Sequence, residues 1–244
     1  MSMLINPYAF AAVGGGGVTA PPAVTLAGEY WAEDLTGLSD TDPVGQFDDR
    51  SGNAAHMTET SPNRPTYVAA STYLNGRPAV AFDGVSQRIE TSALSASAPW
   101  EYVLVGRIAN RTVGQKPFET GADETTASKR ESDDATNPNT YRSYSGSGPL
   151  ENTAEPISDA PFIVFVRIQS SGGLVRVNGV DATGAHGTRS LGSTTALGWS
   201  TANSNAFTEM EVVYFAVKAS SFTTTERDDI EAWAADVYGV TLAL

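Results

Sequence analysis

The chain has 244 residues, with 28 acidic against 15 basic side chains and a formal net charge of -13. That balance argues against a nucleic-acid partner and against an anionic membrane surface. Cysteine is absent, which removes disulfides and thiolate metal sites, and no apolar run is long enough to span a bilayer.

At the N-terminus, Met3, Leu4, Ile5, Tyr8, Phe10 and Val13 form an apolar stretch, followed by four glycines at 14–17 and then Pro21-Pro22. The first basic residue is Arg50, so the charged start of a signal peptide is missing, and Pro7 interrupts the apolar run. The stretch reads as an uncleaved anchor peptide on a flexible linker. Residues 1–25 are assigned to it, and residues 26–244 to one folded domain.

The domain opens with Tyr30, Trp31 and Leu35. Polar turn clusters follow at Asp48–Asn53 and Pro62–Pro65. Val80 and Phe82 alternate as in a strand, and Asp83-Gly84 then carries the chemistry of a tight turn before Arg88–Thr91 resumes an extended pattern.

Trp100–Ile108 alternates, with Trp100, Tyr102, Leu104 and Ile108 on one face and Val103 and Val105 on the other. Phe162–Ile168 is a continuous apolar run of strand length, rich in β-branched residues, which predicts a strand in the core of the sandwich. Leu174–Val180 is the second arm of a hairpin, with another turn at Asn178-Gly179, and Glu211–Val217 is a further strand. Between these, Thr120–Pro161 and Gly184–Asn205 read as loops.

The last element is a helix. Thr223 and Glu226 have capping-box spacing, and Ile230, Trp233, Ala234 and Val237 make one apolar face. Gly239 stands where a left-handed cap is expected.

The order Trp31-Ala-Glu-Asp-Leu35, Asp49-Arg-Ser-Gly-Asn53, Asn63-Arg-Pro65 and Phe82-Asp-Gly-Val85 resembles laminin-G-like, concanavalin-A-like domains of bacteriophage virion proteins. The terminal helix ending Tyr238-Gly239 is similar to theirs as well. The resemblance covers about residues 26–242. It implies an all-β jelly-roll β-sandwich with a C-terminal α-helix and an extended N-terminal arm.

Candidate chemistry is sparse. Glu209 and Glu211 lie on one strand face, about 7 Å apart, as a glycoside hydrolase would require, but the third acid of related enzymes is replaced by Val213. His56 and His186 lack the context of a serine hydrolase or of a zinc site. No cofactor is expected apart from calcium, which the resemblance suggests and for which Asp48, Asp49, Asn53 and Asp83 are oxygen ligands of suitable hardness. In such turns these side chains more often bond the backbone. Sugar binding needs aromatic platforms beside planar polar groups; Tyr141, Arg142 and Tyr144 offer one set, and Trp199, Asn203 and Asn205 another.

The expectation drawn from these features is a non-enzymatic phage virion structural protein, a head decoration or tail component, held to other virion proteins through residues 1–17. It would sit on the particle surface without a signal peptide, as a homo-oligomer such as a trimer, and its sandwich would display glycan-binding loops. The alternatives are a glycan-degrading depolymerase or glycoside hydrolase, and a secreted lectin-like adhesin.

Overall fold

The computed structural model describes residues 19–243 except 109–115, 122–127, 132–139, 147, 154–158, 193 and 200–206. The anchor residues Met3, Leu4, Ile5, Tyr8 and Phe10 lie outside the described residues, as do Asn203 and Asn205.

Strands come in chain order as β1 (Gly28–Trp31), β2 (Gln46–Phe47), β3 (Met57–Thr58), β4 (Thr66–Val68), β5 (Ala79–Asp83) and β6 (Ile89–Thr91). Next are β7 (Trp100–Ile108), β8 (Phe118–Thr120), β9 (Ser128–Glu131), β10 (Tyr141–Tyr144) and β11 (Pro149–Asn152). The rest are β12 (Phe162–Ile168), β13 (Gly173–Val177), β14 (Val180–Gly184), β15 (Thr195–Leu197) and β16 (Glu209–Lys218), before the helix α1 (Thr224–Tyr238).

Two 8-stranded antiparallel sheets result. Sheet A runs β14-β13-β12-β7-β16-β5-β4, with β1 also on β16; sheet B runs β11-β10-β9-β8-β15-β6-β3-β2. On β16, Glu209–Val212 pair with β5 and Tyr214–Val217 pair with β1. The register against β7 shifts between Val212 and Tyr214, so Val213 is a bulge at the point where one neighbour gives way to the other.

One core lies between the sheets and includes Tyr30, Phe47, Trp100, Tyr102, Phe118, Phe162 and Phe215. A second lies between sheet A and α1, where Val103, Val105, Ile163, Phe165 and Ala216 meet Ile230, Trp233, Ala234 and Val237. The central strands β7, β12 and β16 are apolar on both faces because both faces are covered. Asn152 links the sheets, donating from its amide to the carbonyls of Val175 (3.2 Å) and Val180 (2.7 Å).

The expected helix is present, with both halves of its capping box and with Gly239 at φ 74 closing it. Asn178 and Gly179 both have positive φ (47 and 92) in the turn from β13 to β14.

Two local readings are corrected. The segment 120–161 contains β9, β10 and β11, and 184–205 contains β15; these strands are only three or four residues long, so their periodicity is faint. Asp83-Gly84 does turn the chain, and the Asp83 carboxylate accepts from the amides of Val85, Ser86 and Gln87 at 2.8–3.0 Å. However, β5 belongs to sheet A and β6 to sheet B, so the turn carries the chain across the sandwich and closes no hairpin.

Candidate functional site

Short strands of sheet B alternate strictly, and this sets what faces outward. Phe118, Leu197 and Ile89 point into the core. Their neighbours Glu119, Ala196 and Glu90 therefore share the opposite face. Register places Glu119 beside Ala196 and Ala196 beside Glu90, and the row continues through Thr58 to Gln46. Two carboxylate-bearing residues thus flank one small side chain, with Cα atoms about 9–10 Å apart by strand spacing. Glu119 is fully buried. Glu90 is half-buried and engages no hydrogen-bond or ion-pair partner among the described residues.

A groove of about 610 Å³ opens beside Glu90, lined by His56, Thr58, Glu59, Thr60, Ser61, Arg88, Thr91, Ser92, Ala93 and Thr194. Hydroxyl groups dominate its walls. Glu59 accepts from the Ser61 amide (2.8 Å) and from Arg88 Nε (2.7 Å). Burial opposes its ionisation, but these donors outweigh burial and hold its carboxyl below the usual carboxylate range. At the rim, His56 Nδ1 stands 3.1 Å from an Asp48 carboxylate oxygen.

The sugar-platform residues separate. Tyr141 faces the core, its hydroxyl 2.9 Å from that of Tyr102, so its ring offers no platform. The alternation that buries Tyr141 turns Arg142 and Tyr144 outward on sheet B, where Arg142 lies 3.7 Å from the Glu151 carboxylate. Trp199 is partly buried beside the groove, with the Arg88 guanidinium 4.4 Å over its ring and Phe207 stacked at 6.5 Å. A sugar reaching that face would have to displace Arg88.

Glu209 and Glu211 stand on the outer face of sheet A, away from the groove. Glu209 is exposed, whereas Glu211 accepts from the Ser71 hydroxyl and lies 3.6 Å from Arg107. The calcium-ligand candidates also divide. Asp48, Asp49 and Asn53 share one turn region, and Asp83 belongs to another. Asp49 accepts from the amides of Glu29, Ser51 and Ala55, and Asn53 donates to the carbonyls of Leu26 and Ala27. Burial would raise the carboxyl of Asp49, but hydrogen bonds from Ser51, Ala55 and Glu29 hold it low. Among the described residues no cluster of three or more His, Asp or Glu side chains is arranged to hold a metal.

His186 has a partner that its sequence context did not suggest. Its Nε2 is 2.6 Å from Ser143 Oγ, and its Nδ1 is 3.1 Å from the Arg167 carbonyl. Both side chains are fully buried, which keeps substrate from the hydroxyl.

No protein-family model matches this chain, and no curated protein matches it. Solved structures do. Domain 4 of AbnA, a GH43 extracellular arabinanase from Geobacillus stearothermophilus in complex with arabinotriose, aligns with a TM-score of 0.62 at 14% identity, covering 85% of this chain and 98% of that one. An arabinofuranosidase complexed with arabinofuranosyl-α-1,2-xylobiose gives 0.62 at 14%, covering 91% and 61%. A Trypanosoma rangeli sialidase gives 0.54 at 12%, covering 93% and 34%. The chain therefore spans nearly all of the arabinanase domain, but less than two thirds of the arabinofuranosidase and about a third of the sialidase.

At these identities the likeness establishes the fold, a β-sandwich of the kind found in glycoside hydrolases and sialidases, with which a lectin-like jelly roll is compatible. It also corrects the functional expectation. Structures sharing this architecture are glycan-degrading enzymes and a domain of one, which overturns the reading as a non-enzymatic virion protein. Nothing in them supports the phage setting.

Proposed function

We propose that this chain acts in glycan degradation, as a glycoside hydrolase or as the sandwich domain of one, and that the outer face of sheet B is its working surface. The reading rests on one observation: the Glu90 side chain, half-buried and without a partner among the described residues, opens on a hydroxyl-lined groove. Glycoside hydrolysis uses two carboxyl groups on opposite sides of the scissile bond, and inverting enzymes keep them about 6.5–9.5 Å apart to admit a water. Glu119 is fully buried and does not line the groove, so the carboxyl groups open to a substrate there are Glu90 and Glu59. Glu90, open to the groove, activates the water. The groove hydroxyls and Arg88 hold the sugar ring.

Incubating the chain with arabinan, arabinoxylan oligosaccharides and sialyllactose should release reducing sugar from at least one of them. Glu90→Gln should lower that rate roughly 10²-fold or more, with an unchanged melting temperature. Equal rates in wild type and this variant, or no release from any substrate, would overturn the assignment.

A further inference from the structure

A second pocket, of about 280 Å³, is lined by Ser145, Gly146, Gly187, Thr188 and Arg189. We infer that it is a binding site for the oxyanion of an acidic sugar, a carboxylate or a sulfate ester, with Arg189 and Ser145 as its donors.

Ser145 follows β10 directly and is only 1% exposed, yet its hydroxyl has no hydrogen-bond partner among the described residues. Nε of Arg189 is buried and also lacks one. No carboxylate of a described residue stands within ion-pair distance of this guanidinium. Buried donors are seldom left unused, because an unmade hydrogen bond there carries the full desolvation penalty. A group that accepts from both would satisfy them together.

The site is also built to keep Arg189 in place. Its carbonyl accepts from the Trp100 indole N–H at 2.8 Å, which ties the loop backbone to the core. Gly146 has φ 90, and a Cβ there would stand 2.6 Å from Arg189 Nε, so the guanidinium lies directly on the turn. A planar cationic fork with an adjacent hydroxyl matches the geometry of a carboxylate or sulfate. In a chain of net charge -13, an anion is repelled from most of the surface, so an anion site has to be local and positively charged.

The sugar as the source of the anion rests on the proposed glycan function, whereas the anion site itself does not. The test titrates the full chain with D-galacturonate, galactose 6-sulfate, galactose and inorganic sulfate, following amide shifts by NMR. One or both acidic sugars should bind and shift Ser145, Gly146 and Arg189, with galactose at least ten-fold weaker. Arg189→Gln should weaken the acidic sugars about ten-fold or more, Ser145→Ala should weaken them less, and Arg189→Lys should recover part of the loss. Circular dichroism confirms that each variant is folded. Affinities unchanged in Arg189→Gln, or shifts confined to other residues, would overturn the site. Inorganic sulfate binding as tightly as the sugar acids would overturn the sugar assignment. A chain that binds acidic sugars but cleaves nothing would refute the hydrolase reading and leave this one standing.

Discussion

Where α1 covers sheet A, the outward positions of the central strands include Val103, Val105, Ile163, Phe165 and Ala216, all fully buried. On sheet B the outward positions include Glu90, Thr58, Arg142 and Tyr144, which no helix among the described residues covers, and Glu119, which is nonetheless fully buried. Both faces belong to strands of the same sandwich, and both are opposite the shared core. The part of sheet A's outer face beneath α1 is given over to packing, while on sheet B the polar side chains of Glu90, Thr58 and Arg142 are at least partly exposed. Substitutions on the two faces should therefore separate stability from chemistry.

The largest effect is expected at Trp233. Its ring meets Tyr214 at 5.1 Å, Tyr238 at 5.3 Å and Trp31 at 6.3 Å, and its N–H donates to the Thr19 carbonyl at 2.8 Å. Trp233→Ala should lose about 3–5 kcal/mol in denaturant unfolding. An unchanged midpoint would show that the helix is not what stabilises sheet A.

Next is the charge sealed at the helix start. Glu101 on β7 is fully buried, accepting from Arg227 at 3.0 and 3.2 Å and from the Phe222 amide at 3.0 Å. Burial raises its pKa above the ordinary carboxylate value, and Arg227 opposes that rise. Arg227→Ala leaves the carboxylate buried without its cation and should lose about 3 kcal/mol at neutral pH. Arg227 lowers the Glu101 pKa, so in the variant the folded-state value rises above that of wild type. The deficit of the variant should therefore shrink as pH falls through the variant's pKa toward the wild-type value, where the variant's Glu101 takes up a proton and wild type's does not yet. A deficit that grows on acidification would contradict this account.

What the sequence disclosed follows the same division. Strands β7 and β12 and the helix announce themselves because both faces of the strands, and one face of the helix, are apolar. The hairpin from β13 to β14 is marked by Asn178-Gly179. By contrast, Asp83-Gly84 has the same local turn chemistry but leads into the other sheet, since a turn dictates a reversal and not the partner of the next strand. The Glu119–Ala196–Glu90 row was not legible for a related reason. Each glutamate sits in a three-residue alternation (Phe118-Glu119-Thr120 and Ile89-Glu90-Thr91) that reveals its face. Only the insertion of β15 between β8 and β6, from far along the chain, makes the two neighbours across a strand. Glu209 and Glu211 were visible because their pairing is local, and sheet A spends Glu211 on Ser71 and Arg107.

The smallest expected effect is on the stability of Glu90→Gln, and it sharpens the contrast most. Glu90 is half-buried and has no hydrogen-bond or ion-pair partner among the described residues, so neutralising it breaks no interaction with them. Gln has nearly the same shape and leaves the inward neighbours Ile89 and Thr91 in place. Substitutions of this type away from packed or paired groups usually change stability by less than about 0.5 kcal/mol. The unfolding midpoint should therefore match wild type within that margin, while hydrolysis falls. A loss comparable to that of Trp233→Ala would mean that Glu90 is part of the scaffold. The groove face of sheet B would then serve packing no less than the face beneath the helix does, and Glu90 would lose its claim to chemistry.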